Sequence, residues 1–247
     1  MSEEDPLKPL TMSLRKASER DMERQIFSSG SKAIDGLLGG GFRTGELVEV
    51  FGASGTGKTQ LAIQSTISVA AAGFSCAYID SEGQFRPERL ASMCENRGVE
   101  PSKVLPRVYF IRVDGTQQQM EAISMIREQE SLKRCRMVVV DTVTRNFTLE
   151  FGGSRLVASR QAALGAYLNR LARDSYRHDR AVLLLNRVAS VGRNENSREV
   201  DIGGDTLRHF VQAAIWLQRR GEHVYASLAD GRNAKVVETR ISIRGLD

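Results

Sequence analysis

The sequence predicts an α/β protein in which helices flank a mostly parallel central sheet. Short apolar runs of the strand type alternate along the chain with longer helical patterns, as is typical of a parallel sheet covered on both faces. A glycine-rich loop lies between the first clear strand and the helix after it. Near the C-terminus, three strand-like runs follow one another with no helix between them, which predicts an antiparallel extension of the sheet edge.

The individual elements follow from the period of the apolar residues and from the residues that end each pattern. Residues 137–141 are almost continuously apolar, as central parallel strands are. Residues 1–29 are polar, so we expect a flexible N-terminal arm followed by one core domain over residues 30–247. The predicted strands are 47–51, 75–80, 108–113, 137–141, 181–186, 214–220, 223–229 and 238–243, and the predicted helices are 31–38, 61–72, 89–98, 117–130 and 158–176.

The composition of the 247-residue chain, with 41% apolar residues, is that of a soluble globular protein. No run approaches the ~20 consecutive apolar residues of a membrane span, and the acidic residues 1–5 offer no apolar signal region, so we expect neither membrane insertion nor export. Cys76, Cys94 and Cys135 lack metal-binding spacing and predict free thiols in a reducing cytosol. The net charge of +5 is compatible with a polyanionic partner or with an ordinary solvated basic surface.

The glycine-rich loop matches the phosphate-binding template Gly-x-x-x-x-Gly-Lys-Ser/Thr at every specified position. Its glycines permit backbone conformations in which successive N–H groups surround a phosphate. Lys58 would bring a positive charge to the terminal phosphates, and the hydroxyl of Thr59 would ligate Mg²⁺. A chance glycine turn is the alternative, but the strand and helix that flank the loop stand in the required order. The predicted nucleotide-binding residues of the loop are Gly52, Ala53, Ser54, Gly55, Thr56, Gly57, Lys58 and Thr59.

Polar side chains at the ends of three other predicted strands are candidates for chemistry. Asp141 closes an apolar strand, where a carboxylate can hold Mg²⁺ through water, although an ordinary strand-end aspartate would look the same. Asp80 and Glu82 follow the neighbouring strand, and either carboxylate could accept a proton from the water that attacks the γ-phosphate. Asn186 could hydrogen-bond a phosphate or that water, or could be a strand-end asparagine whose bonds are satisfied within the protein.

Two stretches with no regular pattern, 145–157 and 187–204, follow directly from the C-terminal ends of predicted parallel strands. Ligands bind at that edge of open α/β sheets, and long loops in compact domains are usually functional or disordered. The sequence therefore predicts binding loops at both places.

These motifs together resemble those of the RecA/RadA recombinase family. Residues 29–41 are similar to the family's lead-in to the phosphate loop, and Gly52 to Gln60 is similar to the loop itself. Residues 80–89 closely resemble the family signature Asp-x-Glu-Gly-x-Phe-x-Pro-Glu-Arg, which is far more specific than a phosphate loop alone. Residues 159–161 and 202–204 also match, so the resemblance covers roughly residues 28–247.

The resemblance implies a RecA-type P-loop ATPase core that uses ATP and Mg²⁺. By position, Glu82 becomes the catalytic carboxylate that polarises water, and Arg89 becomes a candidate for packing on the adenine. Asn186 lies in the family's sensor strand, and His209 lies where the family places a histidine that senses the γ-phosphate across a subunit interface. The other implied site residues are Lys58 in catalysis, Gln60 in nucleotide binding, and Thr59 and Asp141 at the metal.

The two irregular stretches coincide with the family's two DNA-binding loops. Arginines there can pair with phosphates, and Phe147 or Phe151 could stack on a base. Solvated loop charges are the alternative for each arginine. The candidate DNA contacts are Arg145, Arg155, Arg187, Arg193 and Arg198.

Three features differ from the family pattern. The recombinases carry an additional N-terminal DNA-binding domain where this chain has a short arm. Their self-assembly motif, Phe-x-x-Ala, is replaced by a degenerate version beginning at Leu14 and ending at Ala17. Their sensor strand continues Asn-Gln, whereas this one continues with Arg187. Length and core-only design most resemble the short archaeal RadB-like paralogues of the family.

The resemblance then implies a recombination accessory protein, a weak DNA-dependent ATPase that helps the main recombinase load. We expect single-stranded DNA and a RadA-type recombinase as partners, contact with a second subunit because of His209, no membrane, and a cytoplasmic, nucleoid-associated location. One alternative is an active recombinase that forms filaments and exchanges strands. Another is a nucleotide-binding regulator that acts through protein partners without DNA.

Overall fold

An eight-stranded sheet forms the centre of the protein in a computed structural model that describes residues 12–191, 198–229, 236–239, 241–242 and 245–246. The strands are β1 (Ile26–Phe27), β2 (Phe42–Arg43), β3 (Leu47–Gly52), β4 (Ser75–Asp80), β5 (Val108–Arg112), β6 (Cys135–Asp141), β7 (Ala181–Asn186), β8 (Val188–Val191), β9 (Arg198–Asp201), β10 (Ala213–Arg220), β11 (His223–Leu228), β12 (Val236–Thr239), β13 (Ile241–Ser242) and β14 (Gly245–Leu246). The α-helices are α1 (Leu14–Met22), α2 (Lys32–Leu37), α3 (Lys58–Ala71), α4 (Pro87–Asn96), α5 (Pro101–Val104), α6 (Thr116–Glu128), α7 (Arg145–Glu150), α8 (Val157–His178) and α9 (Gly204–Arg208).

The sheet order is β12–β11–β10–β3–β7–β6–β4–β5. Every neighbouring pair from β10 to β5 is parallel, whereas β11 and β12 run antiparallel to their neighbours. The predicted fold class, a mostly parallel sheet with an antiparallel C-terminal extension, is confirmed. The extension begins one strand later than predicted, because β10 is parallel to β3 and only the tight turn before β11 reverses the chain.

Helices cover both faces of the sheet with separate apolar layers. Consecutive strand residues point to opposite faces, so Leu183 belongs to one layer and Leu184 to the other. The first layer contains buried residues of α3, such as Leu61, and the second contains buried residues of α6 and α8, such as Leu168. Among the helices in the described part of the chain, none has both the length and the apolar character that crossing a bilayer requires.

The N-terminal segment joins the core earlier than the sequence indicates. Helix α1 has no buried residue, but β1 pairs with β2, and Phe27 is buried against the ring of Phe74 with centroids 5.5 Å apart. Ser29 is also buried. Residues 26–29 therefore pack as part of the core, ahead of the predicted boundary at residue 30.

The first stretch predicted to be irregular contains α7. Phe147 holds this helix on the core, because it is buried and lies 5.7 Å from the ring of Tyr167. A helix of six residues is too short to show a periodic pattern in the sequence. Phe147 is therefore a core residue in this structure, and the prediction that it could stack on a base was wrong.

The second stretch predicted to be irregular contains an antiparallel pair and a short helix. Strands β8 and β9 pair from Val188 with Asp201 to Val191 with Arg198, and α9 follows them. Arg193 lies outside the described residues, as does the side chain of Arg198. The hairpin projects from the carboxyl end of β7, the sheet edge at which the binding loop was predicted.

Candidate nucleotide-binding site

The phosphate-binding loop runs from the end of β3 to the start of α3. Gly55 and Gly57 have φ angles of 79° and 91°, in the left-handed region that favours glycine. Gly52 is required for a different reason, since a Cβ atom there would lie 2.3 Å from the carbonyl oxygen of Leu217 on β10. The loop thus combines backbone freedom with a close approach to the neighbouring strand.

Above this loop lies a cleft of about 460 Å³ at the carboxyl edge of the sheet. It brings together most of the predicted nucleotide site, including Glu82 and Arg89, which are distant from the loop in sequence. Thr56 is the loop residue that does not line it; it is buried and its hydroxyl donates to the carbonyl of Ala53 at 2.8 Å, so it supports the loop from behind. The lining residues are Gly52, Ala53, Ser54, Gly55, Gly57, Lys58, Thr59, Gln60, Glu82, Gln84, Arg89, Asp141, Thr142, Arg187 and Val188.

Lys58 contacts the loop that it follows. Its Nζ atom donates to the carbonyl oxygens of Gly52 and Ala53, at 2.8 and 2.7 Å. The ammonium group is therefore held within the phosphate-binding loop, and a bound phosphate would take over as its main partner.

The predicted metal ligands lie side by side. The hydroxyl of Thr59 donates to Asp141 Oδ2 at 3.1 Å, and the hydroxyl of Tyr78 donates to the same oxygen at 2.8 Å. Burial raises the pKa of Asp141, while these two hydrogen bonds oppose the rise. Oxygen donors of this kind fit Mg²⁺, which prefers one or two carboxylates and keeps its remaining positions for water and phosphate.

The structure distinguishes the roles of the two carboxylates that follow β4. Asp80 is buried, and its oxygens accept hydrogen bonds from the backbone N–H groups of Glu82 and Gly83, both at 2.8 Å, and of Phe85, at 3.1 Å. Asp80 thus holds the turn. The side chain of Glu82 reaches the cleft instead, where Oε1 accepts a hydrogen bond from the hydroxyl of Thr142 at 3.0 Å. Glu82 is the carboxylate placed to act on a ligand.

Arg187 was predicted to contact DNA, but its side chain lines the nucleotide cleft. Its Nη2 atom pairs with Glu82 Oε2. Arg145 also differs from the prediction, since it is half-buried and donates to the carbonyl oxygen of Ser81 at 2.9 Å, behind the cleft. Arg155 is exposed as predicted, and Phe151 is half-buried.

Asn186 was predicted to reach a phosphate or water, but all its hydrogen bonds stay within the protein. Its Nδ2 donates to Glu49 Oε1 at 2.7 Å and to the Ile202 carbonyl at 2.6 Å. Its Oδ1 accepts from the hydroxyl of Thr144 at 2.7 Å and from the N–H of Arg187 at 2.9 Å. Asn186 is buried and does not line the cleft, so the structure shows a satisfied strand-end asparagine.

His209 follows α9 and is exposed, away from the residues that line the cleft. Within one subunit it is not placed against a nucleotide. Its contact with a γ-phosphate across a subunit interface stays a prediction.

Sequence reasoning missed several polar residues of this site. Thr142 supports Glu82, and its position directly after Asp141 at a strand end could have indicated this role. Tyr78 sits within a buried strand, where an aromatic residue reads as core. Glu49 likewise lies inside an apolar strand, and only the fold brings it to Asn186.

Glu49 gives the fold a pH dependence that can be measured. Burial raises its pKa from the ordinary 4.5 to about 8, and the nearby Asp201 adds to the rise. The folded state therefore holds a proton that the unfolded state has lost between these values. Stability from this proton is complete below about pH 4.5 and falls as the pH rises towards 8.

Replacing Glu49 with glutamine should remove this dependence, because the amide cannot ionise and its oxygen can still accept from Asn186. The free energy of unfolding between pH 5 and 8 should then fall less steeply, by up to about 1.4 kcal/mol per pH unit. Urea titrations at several pH values measure the slope, with Glu128→Gln on the exposed end of α6 as the control. Identical slopes in parent and Glu49→Gln would show that Glu49 is ionised in the folded protein.

The fold and the site together define a P-loop nucleotide-binding protein. A strand, a glycine loop and a helix form the phosphate cradle, and Thr59 and Asp141 stand where a magnesium ion would meet the phosphates. The family model described as Rad51 matches residues 21–245, and the chain belongs to the Rad51 family.

Individual relatives agree with this assignment. The chain is 34% identical over 249 residues to the DNA repair and recombination protein RadA of Metallosphaera sedula, covering 95% of this chain and 76% of that protein. It is 33% identical over 224 residues to the meiotic recombination protein DMC1 of Saccharomyces cerevisiae, covering 85% and 67%. It is 30% identical over 252 residues to the RadA of Ignicoccus hospitalis, covering 95% and 76%. The predicted family resemblance is confirmed, whereas the RadB-like subgroup stays a prediction.

Proposed function

We propose that this protein is an ATP- and DNA-binding accessory of recombination and repair, with weak Mg²⁺-dependent ATP hydrolysis. The relatives named above for DNA repair and recombination support the process. The single observation that carries the accessory role is the ion pair between Glu82 and Arg187, because it engages the candidate general base. A base that must leave a cation before it acts is consistent with slow turnover and with activity that depends on a partner.

The cleft supplies the groups that ATP hydrolysis requires. A water attacks the γ-phosphorus as its bond to the bridging oxygen of ADP breaks, and Glu82 accepts a proton from that water. Lys58 lies in the phosphate-binding loop and would offset the negative charge on the transferring phosphoryl group. When bound, Mg²⁺ would bridge the phosphates, and Thr59 and Asp141 would hold it.

Single-stranded DNA is the proposed polyanionic partner. Arg155 is exposed between α7 and α8, and Arg193 and Arg198 belong to the hairpin region in sequence. Arginines bind nucleic-acid phosphates without regard to sequence, and the net charge of +5 favours such a partner. The protein would act in the cytoplasm, at the nucleoid.

The second proposed partner is a RadA-type recombinase or another copy of this chain. Leu14 begins α1 and is 90% exposed, so it is available to a partner surface. His209 is also exposed and would contact nucleotide only across an interface. A leucine fills less of an aromatic pocket than phenylalanine does, which favours a weak or partner-dependent assembly over a self-sufficient filament. We assign the chain to the short, RadB-like paralogues on this basis.

An active recombinase is the second candidate function, because the RadA relatives align over 95% of this chain. The two candidates differ in what the protein does alone. We expect single-stranded DNA binding that weakens steeply with salt, no efficient strand exchange by the protein alone, and faster exchange when it is added to a RadA-type recombinase. Strand-exchange assays and electron microscopy with ATP and DNA measure this, with Lys58→Ala as the nucleotide-binding control.

Each other outcome has a distinct meaning. Long regular filaments with robust exchange by this protein alone would establish the active recombinase. Nucleotide binding without any DNA binding, at low salt, would establish the protein-only regulator.

A further inference from the structure

The pair between Arg187 and Glu82 lies inside the cleft that would hold the nucleotide. The carboxylate side chain of Glu82 is 8% exposed and the arginine side chain is 57% exposed, so a nearly buried anion is matched by a cation that reaches in from the mouth. Both residues line the same cleft as Lys58 and Thr59. A terminal phosphate entering this cleft would therefore meet the Arg187 guanidinium.

Glu82 is held on both of its oxygens. Oε1 accepts a hydrogen bond from the hydroxyl of Thr142 at 3.0 Å, and Oε2 faces the guanidinium of Arg187. The first contact fixes the carboxylate beside the metal ligand Asp141, and the second directs the remaining oxygen at a cation instead of a water. Arg145 does not substitute for Arg187 in this contact, since it donates to the Ser81 carbonyl.

We propose that Arg187 is a positioning and specificity-determining residue that distinguishes nucleoside triphosphate from diphosphate by exchanging partners. Without a γ-phosphate, it pairs with Glu82 and keeps that carboxylate turned away from water. A γ-phosphate carries more negative charge than a carboxylate and accepts a guanidinium through two oxygens, so it takes Arg187 from Glu82. Glu82 is then released to receive the attacking water, while a diphosphate leaves the pair intact.

Arginine is suited to this exchange in a way that a neutral side chain is not. A guanidinium is a permanent cation with five donors, and it can pair with either anion but cannot bind both fully. The exchange makes binding of the triphosphate depend on the cost of breaking the Glu82 contact. That cost is a measurable coupling between residues 82 and 187, and it is absent when the diphosphate binds.

The inference rests on the proposed ATP-binding function, and a double-mutant cycle tests it separately. The four proteins are the parent, Glu82→Gln, Arg187→Gln and the double variant, and the measurement is affinity for fluorescent ATP and ADP with Mg²⁺. Arg173→Gln, an exposed arginine on α8, is the matched control for loss of one arginine. Arg187→Lys keeps the charge without the planar fork, and circular dichroism verifies the fold of each variant.

We expect Glu82→Gln to bind ATP about 5- to 10-fold more tightly, because Arg187 no longer has to leave a carboxylate. Arg187→Gln should bind ATP about 10- to 100-fold more weakly, with ADP affinity changed less than about twofold. In the Arg187→Gln background, Glu82→Gln should no longer tighten ATP binding. Arg187→Lys should fall between the parent and Arg187→Gln, and Arg173→Gln should match the parent.

Two results would overturn the inference. Additive effects of the two substitutions on ATP binding would show that no partner exchange occurs, and equal losses of ATP and ADP affinity in Arg187→Gln would show a general structural role. Both results leave ATP binding by the parent in place. A parent protein that binds neither nucleotide would instead overturn the proposed function and this inference with it.

Discussion

Replacing Lys58 with alanine should reduce ATP affinity at least ~100-fold and leave the fold intact. The side chain begins α3, and its ammonium lies within the phosphate-binding loop. Hydrogen bonds to charged groups contribute ~1.5–3 kcal/mol each, and the phosphates would lose both the bonds and the charge. The folded protein would lose only two bonds to loop carbonyls, which cost about 1 kcal/mol each.

Isothermal titration calorimetry with Mg-ATP measures the affinity, and urea unfolding measures the stability. Lys133→Ala, an exposed lysine far from the cleft in sequence, is the matched control and should bind as the parent does. Equal ATP binding by Lys58→Ala and the parent would remove the phosphate-binding loop from the proposed site.

Glu82→Gln should still bind ATP and Mg²⁺ but hydrolyse ATP ~10² to 10⁴ times more slowly, which is the usual effect of losing a general base. Glutamine keeps the shape, and its amide oxygen can still accept from Thr142. It cannot take a proton from water. The loss should therefore appear in the chemical step and not in nucleotide affinity, which distinguishes this variant from Lys58→Ala.

Single-turnover hydrolysis with enzyme in excess isolates that step. Glu88→Gln, in the exposed first turn of α4, is the matched control and should retain the parental rate. A Glu82→Gln rate within a few-fold of the parent would mean that another group accepts the proton. Asp80 is not available for that role, because its two oxygens already hold the turn that follows β4.

The parts of the site that the sequence predicts are those set by neighbouring residues. The phosphate-binding loop needs only local backbone geometry, and Asp141 needs only its place at the end of an apolar strand. The choice between Asp80 and Glu82 was not accessible, because it depends on which carboxylate the local backbone N–H groups engage. Strand order and direction were accessible as a class, whereas the parallel pairing of β10 with β3 depends on a distant crossover.

The errors concern residues whose partners are far away in sequence. Arg187 reads as a loop charge because nothing nearby indicates that Glu82 is its partner. Phe147 reads as an exposed aromatic because the tyrosine that buries it lies on another helix. Asn186 had a correct alternative from the outset, and the contacts with Glu49 and Ile202 decide in its favour.

The close approach of Gly52 to Leu217 has a consequence for anyone shortening this chain. The strand that carries Leu217 belongs to the C-terminal third of the sequence, yet it forms the wall against which the phosphate-binding loop rests. Arg219, two residues further, donates to the carbonyl of Gly55 at 3.4 Å. A fragment trimmed back to the helices and strands that hold the named site residues would therefore lack its backing, and the smallest autonomous ATP-binding unit must extend through β10.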